Sequence, residues 1–123
     1  MHTLRHTFEK FLEKSILKAH EAGIPKSKCM VDPGLGFGKT AEPNLRLTGE
    51  LNALLELGHP VVYGPSRKRF LGEVTGRKVD DRDRATAAAC AIARLAGAHI
   101  FRVHNVAEVS DALKMAEAVR QSI

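Results

Sequence analysis

The stretch Val31-Asp32-Pro33-Gly34-Leu35-Gly36-Phe37-Gly38-Lys39 constrains this chain more than any other. The apolar run Cys29-Met30-Val31 delivers a carboxylate, Asp32, to the end of a buried element. The backbone then turns and stays bare, with three glycines in five residues. Glycines let the main chain come close to a ligand and take positive φ where a turn needs it. Apolar strand, acid, glycine loop, helix is the order in which an α/β protein presents chemistry at the C-terminal end of a strand. The loop is only loosely like a Walker or dinucleotide loop, because the Gly-Lys-Ser/Thr spacing and a suitably placed later acid are missing. Asp-Pro-Gly is also a good turn starter in its own right.

Around this stretch the chain alternates helices and short apolar runs. Leu4, Phe8, Phe11, Leu12, Ser15, Ile16 and Ala19 share one face of a helix over about 7–22, with charges elsewhere on the wheel. Gly23 and Pro25 stop it. Strand one is expected over about 28–31. After the glycine loop, Thr40 can cap a second helix whose inner stripe is Leu47, Leu51, Leu54 and Leu55, ending at Gly58. Pro60-Val61-Val62-Tyr63 reads as strand two, followed by the loop Gly64 to Gly72 and a polar crossover, 73–83. An alanine-rich helix over about 84–95 ends at Gly97, its small residues suiting close approach to neighbours. His99 to Val103 reads as strand three. Asn105 caps a fourth helix with Glu108 as its capping-box partner, and Val106, Val109, Ala112, Leu113 and Ala116 on its buried face.

Strand ends recur about 30 to 40 residues apart, the spacing of βα units in a parallel sheet. Three parallel strands with four helices are too few to cover both faces of such a sheet. The expectation is therefore an α/β chain forming the C-terminal part of a (β/α)8 barrel, incomplete by itself, with 1–123 as one domain. A small three-strand domain is the alternative. Parallel strands put their C-terminal ends on one side, so Asp32, then Ser66, Arg67 and Lys68, then Arg102 and His104 should share a rim. Arg102 and His104 stand two apart beside the start of a helix, a natural anion site.

Charge and composition narrow the partners. The net charge is +5, but the basic residues are scattered among acids, Trp is absent and there is one Tyr. Stacking platforms for bases are scarce, so a small anionic substrate is expected rather than nucleic acid. No apolar run nears the roughly 18 residues of a membrane span. Glu9, Lys10 and Glu13 interrupt any secretory core, and Cys29 and Cys90 read as buried free thiols of a reducing compartment, which points to the cytoplasm. The histidines lack metal-ligand spacing, and Gly-x-Ser-x-Gly is absent.

Asp32-Pro33-Gly34-Leu35-Gly36-Phe37-Gly38-Lys39, Ser66-Arg67-Lys68-Arg69-Phe70-Leu71-Gly72 and Arg102-Val103-His104-Asn105-Val106 resemble, in order, the last three motifs of the dihydropteroate synthase family. The resemblance covers nearly the whole chain. It implies a pterin-binding TIM barrel of folate biosynthesis that joins 4-aminobenzoate to 6-hydroxymethyl-7,8-dihydropterin diphosphate and releases pyrophosphate, with Mg2+. It further implies that Asp32 and Lys68 hold the pterin. Gly36, Phe37, Ser66 and Arg67 would shape the 4-aminobenzoate pocket, and Arg102 and His104 would bind the diphosphate. Asn105 stands where the family usually has Asp; both cap a helix. The family's first five strands have no counterpart here, so this chain is expected to be inactive alone. Full-length members are expected to be homodimers; here self-association or a complementing half is the corresponding expectation. The alternatives are a non-catalytic half-barrel that self-associates and the pterin-binding part of a corrinoid methyltransferase.

Overall fold

Two parallel strands, β1 (Val62–Tyr63) and β2 (Ile100–Phe101), form the sheet, with Val62 opposite Ile100 and Tyr63 opposite Phe101. Val31 extends it as a single parallel bridge to Val61. The computed structural model describes residues 4–36 and 40–123, the side chains of 4–8 excepted. Its helices are α1 (Leu4–Glu21), α2 (Ala41–Gly49), α3 (Arg69–Thr75), α4 (Asp83–Leu95) and α5 (Val106–Gln121). Three 3-10 segments, Lys26–Lys28, Leu51–Leu57 and Val79–Asp81, connect them. No described helix is long and apolar enough to cross a membrane.

The expectation of three strands and four helices is corrected on both counts among the described residues. Strand one shrinks to Val31 because a 3-10 turn occupies Lys26–Lys28. Pro33 then has no N–H with which to continue a ladder. Val31 still makes two ladder bonds, donating to the Pro60 carbonyl (2.9 Å) and accepting from the Val62 N–H (2.8 Å). The loop after β1 and the polar crossover are partly helical: α3 spans the end of the one and the start of the other and buries Phe70 and Leu71, and Val79–Asp81 makes a 3-10 turn. The second helix is also two pieces, α2 and the 3-10 segment after Glu50.

The core lies between the sheet and the helices. Leu12, Val31, Leu35, Leu47, Leu51, Leu54, Val61, Tyr63, Phe70, Leu71, Cys90 and Val109 are among its buried members. Thr86, Ala87, Ala89, Cys90 and Ala93 form the buried face of α4, which packs chiefly on α5 and also on α2 and α3. Burial pushes the Cys90 thiol up to about 12, so it stays protonated. Cys29 is only half-buried. Three apolar residues assigned to inner faces are instead exposed: Phe11 at 64%, Val106 at 66% and Leu55 at 38%. Leu55 keeps one face against Gly97, whereas Phe11 and Val106 stay mostly open to solvent.

Among the described residues, no buried side-chain nitrogen or oxygen lacks a partner. Tyr63 is buried, its ring edge-on to Phe101 at 6.3 Å, and its hydroxyl meets Thr48 Oγ1 at 2.7 Å. Thr48 Oγ1 also donates to the Asn44 carbonyl, so the Tyr63 hydroxyl serves as donor to Thr48. Burial raises the Tyr63 phenol above its usual range, against the smaller opposing effect of Thr48. His59 is buried and its Nδ1 meets the Cys29 carbonyl at 3.1 Å. Tyr63→Phe removes one buried hydrogen bond but leaves Thr48 bonded to Asn44. It should therefore lower unfolding free energy by about 1 kcal/mol in urea denaturation. An unchanged midpoint and slope would show that this bond adds nothing to stability.

Candidate functional site

The rim is built from the backbone outward. Asp32 follows Val31 directly and its Oδ1 accepts the Gly34 N–H at 2.8 Å, closing the turn that Asp-Pro-Gly favours. Leu35 is buried as a plug beneath the loop. Gly36, at φ +85°, donates its N–H to Asn44 Oδ1 at 2.9 Å, while Asn44 Nδ2 donates to the Thr40 carbonyl at 2.7 Å. One buried amide at the start of α2 therefore pins the chain on both sides of 37–39. Thr40 itself makes no side-chain cap, although its position allowed one. Phe37, assigned to the 4-aminobenzoate pocket, lies outside the described residues.

The other strand ends close on this loop. Lys68 Nζ donates to the Leu35 carbonyl at 2.7 Å, and its stem lies over Gly36, where an added Cβ would stand 3.0 Å from Lys68 Cδ. Arg102 Nη2 reaches Asp32 Oδ2 at 2.6 Å, across seventy residues of sequence. The guanidinium passes over Gly64, where a Cβ would stand 3.0 Å from Nη2; glycine after β1 makes room for it. Asp32 thus uses one oxygen for its own turn and the other for the cation of the last strand. Ser66 Oγ meets His104 Nδ1 at 2.6 Å and accepts the His104 backbone N–H at 3.0 Å. A hydroxyl that donates to Nδ1 leaves Nε2–H of His104 for another acceptor.

Arg67 behaves differently from its neighbours. Its φ of +59° is the one positive value outside glycine among the described residues. It is the third residue of a turn closed by Lys68 N–H donating to the Pro65 carbonyl at 3.0 Å. Its side chain turns to α4, with Nε and Nη2 donating to the two oxygens of Asp83 at 2.8 and 3.1 Å. This bidentate contact holds the Asp83 carboxyl below the usual carboxylate range; Asn105 and His104 act on it in the same direction. The helix that starts at Asn105 carries the expected cap, Glu108 N–H donating to Asn105 Oδ1 at 3.1 Å.

The structure thus brings Asp32, Gly36, Ser66, Lys68, Arg102 and His104 to one rim, with Arg67 anchored behind it. Asn44, Thr86 and Asp83 were not singled out from sequence. Asn44 carried a signal, since a polar residue in register with Leu47 and Leu51 must find a partner inside. Asp83 in the first turn of a helix was legible as an acid at a helix start, but not as the partner of Arg67. A groove of about 820 Å³ runs along β2 and α5, lined by Arg94, His99, Phe101, Arg102, Val106 and Leu113 among others. It meets the rim at Arg102 only. Chemically the rim offers one carboxylate, two cations, a hydroxyl and an imidazole at a helix start. That set suits a flat N–H donor beside an anionic group.

Comparison with known proteins agrees with this chemistry. A family model described as "Pterin binding enzyme" matches residues 1–104. The dihydropteroate synthase of Haemophilus influenzae is 43% identical over 108 residues, covering 88% of this chain and 39% of that protein. The Yersinia pestis dihydropteroate synthase, solved with a sulfonamide drug complex, superposes with a TM-score of 0.95 at 33% identity, covering 100% of this chain and 45% of that one. The Xanthomonas albilineans enzyme in complex with 7,8-dihydropteroate gives a TM-score of 0.92 at 42% identity, covering 95% and 45%. With 4-aminobenzoic acid the same enzyme gives 0.91 at 41% identity, covering 98% and 47%. The chain therefore spans less than half the length of these relatives.

The Arg67–Asp83 contact has a definite pH dependence. A carboxyl depressed by its partner gives a contact that is complete above the unfolded-chain value and lost as pH falls through the lower folded value. In a carbon-13 carboxyl titration Asp83 should titrate below the usual value of about 3.9. Arg67→Ala should move its midpoint upward toward that value. A midpoint that ignores the substitution would remove Arg67 as the principal cause.

Proposed function

The chain belongs to the family of pterin-binding enzymes, and from that membership we propose that it carries the pterin-binding and diphosphate-binding rim of a dihydropteroate synthase. On this reading Val31, β1 and β2 occupy the last three strand positions of a (β/α)8 barrel, and 1–123 is the C-terminal part of that domain. The substrates are 4-aminobenzoate and 6-hydroxymethyl-7,8-dihydropterin diphosphate. The amine nitrogen bonds to the pterin methylene, the carbon–oxygen bond to the diphosphate breaks with its electron pair going to oxygen, and the amine loses a proton. No strong base is required of the protein, because positioning and charge stabilisation carry the step.

The contact between Arg102 and Asp32 is the observation that carries this reading. A pterin edge donates paired N–H groups to the Asp32 carboxylate and so competes with Arg102 for Oδ2. Arg102, released, faces the diphosphate together with His104 at the start of α5. Lys68 lies against the pterin from the glycine-loop side, since its ammonium already sits on the Leu35 carbonyl beside Gly36. Ser66 and Gly36 border the 4-aminobenzoate ring, and Arg67 shapes that border through the turn it occupies. Magnesium, expected from the family, does not fit a cage here. No three His, Cys, Asp or Glu side chains converge among the described residues, and Asp32 is engaged by Gly34 and Arg102. The roles assigned above rest on the chain's own side chains.

Self-association is a second reading, favoured by Met30 beside Val31 and Ile100 on β2, exposed at 58% and 38%. These stand at the two flanks of a short parallel sheet whose edges can pair with another chain. Sedimentation of the chain should show more than one copy; a clean monomer across micromolar concentrations excludes it.

Ligand binding, rather than turnover, is the right measurement for a chain of this length. Calorimetry with 6-hydroxymethylpterin diphosphate should show binding that Asp32→Ala weakens about tenfold or more, the scale of charge-assisted hydrogen bonds. Arg102→Ala should weaken inorganic pyrophosphate by a similar factor. Equal pterin affinity in Asp32→Ala would sink the assignment of Asp32, and with it this reading of the rim.

A further inference from the structure

We propose that Asp83 is a positioning residue that sets the Pro65–Lys68 turn for 4-aminobenzoate and ties it to the corner holding His104. The proposal rests on the functional reading above for its ligand, and on the geometry alone for the turn.

The turn needs an external hold. Its third residue sits at φ +59°, a region that favours glycine or asparagine in such turns and disfavours arginine. Every polar group of Arg67 that the structure pairs is held from one short segment, 82–86. The Arg67 N–H donates to Thr86 Oγ1 at 3.1 Å and its carbonyl accepts Arg82 Nη1 at 3.1 Å. The guanidinium fork donates twice to Asp83. The two flanking residues depart in different directions, Ser66 to His104 and Lys68 to the Leu35 carbonyl. Arg67 is thus an anchor between two rim contacts, and Asp83 is what the anchor grips. Asp83 is part-exposed, with 23% of its side chain accessible, and its fork contact with Arg67 is closed at 2.8 and 3.1 Å. A role confined to stability is a poor account of an acid placed beside two site elements at once. Ser66, beside Arg67 in the same turn, meets His104 Nδ1 at 2.6 Å and accepts the His104 N–H at 3.0 Å, so holding the turn also holds the corner after β2. Asn105 and His104 add to the lowering of the Asp83 carboxyl.

The test uses isotope-labelled chain with Asp83→Asn, Asp83→Glu and Arg67→Gly, probed with 4-aminobenzoate and with inorganic pyrophosphate. Carbon-13 shifts of residue 67 report the left-handed backbone, and urea denaturation reports global stability. Asp83→Asn should shift the Arg67 signals away from left-handed values and weaken 4-aminobenzoate about tenfold, the scale of one charge-assisted hydrogen bond. Asp83→Glu should recover most of both effects. Glycine adopts the turn without help, so adding Asp83→Asn to Arg67→Gly should cost little further affinity, even if Asp83→Asn alone folds poorly. A folded Asp83→Asn with unchanged Arg67 shifts and unchanged affinity overturns the proposal. A loss of stability with no change in affinity of the folded protein overturns it too. If the unsubstituted chain ignores 4-aminobenzoate while Asp83→Asn still moves the Arg67 signals, the ligand assignment falls and the hold on the turn stands.

Discussion

The parallel pairing of Val31, β1 and β2 is the constraint on which the rest depends. It is short, amounting to a few backbone bonds around Val31, Val61 and Tyr63. Yet parallel pairing is directional: it sends three chain segments out of the sheet on the same side. Asp32, the Gly64–Lys68 turn and Arg102–His104 are neighbours for that reason. They lie as far apart in sequence as seventy residues and meet at hydrogen-bond distance. The buried Tyr63–Thr48–Asn44 chain then fixes α2 to the sheet, and Asn44 fixes the glycine loop to α2. A path of ordinary hydrogen bonds leads from the core to the most exposed backbone of the site.

The charged groups at the rim and behind it have polar partners without a ligand. Asp32 holds Arg102, Asp83 holds Arg67, and Lys68 rests on a carbonyl. Among the described residues, no buried side-chain nitrogen or oxygen lacks a partner. The site is therefore organised before binding, and the pairs differ in how firmly they are closed. The Arg67 pair is bidentate and backed by two backbone contacts. The Arg102 pair is a single contact with 61% of the arginine side chain accessible. A bidentate, supported pair suits scaffolding, while a single exposed contact suits exchange.

Much of this was legible in the residues. Apolar spacing located α1, α4 and α5, and Asn105 with Glu108 marked a helix start that the structure bears out. The order of the three polar strand ends gave the rim. Four things were hidden, each for a physical reason. Strand lengths depend on whether a partner offers free ladder groups, and Pro33 and Pro60 curtail them in a way that apolar runs do not display. Phe11 and Val106 fall on apolar faces, but spacing says which residues want burial, not what is there to cover them. The grip of Asp83 on Arg67 joins residues sixteen apart through a backbone conformation that no arginine advertises. In α3 the glycine at 72 obscured a helix that buries Phe70 and Leu71.

The Arg102–Asp32 contact also bears on selectivity. Read as an internal counter-ion, Arg102 makes the Asp32 carboxylate poor bait for stray cations. A ligand that only donates to Asp32 must displace the arginine and leave it with no partner. A ligand that only carries phosphate must draw the arginine away and strand the acid. A molecule with both ends settles both debts in one event, because the group it evicts is the group its other end requires. Discrimination of this kind belongs to the swap itself, and it would hold even if each contact were individually weak.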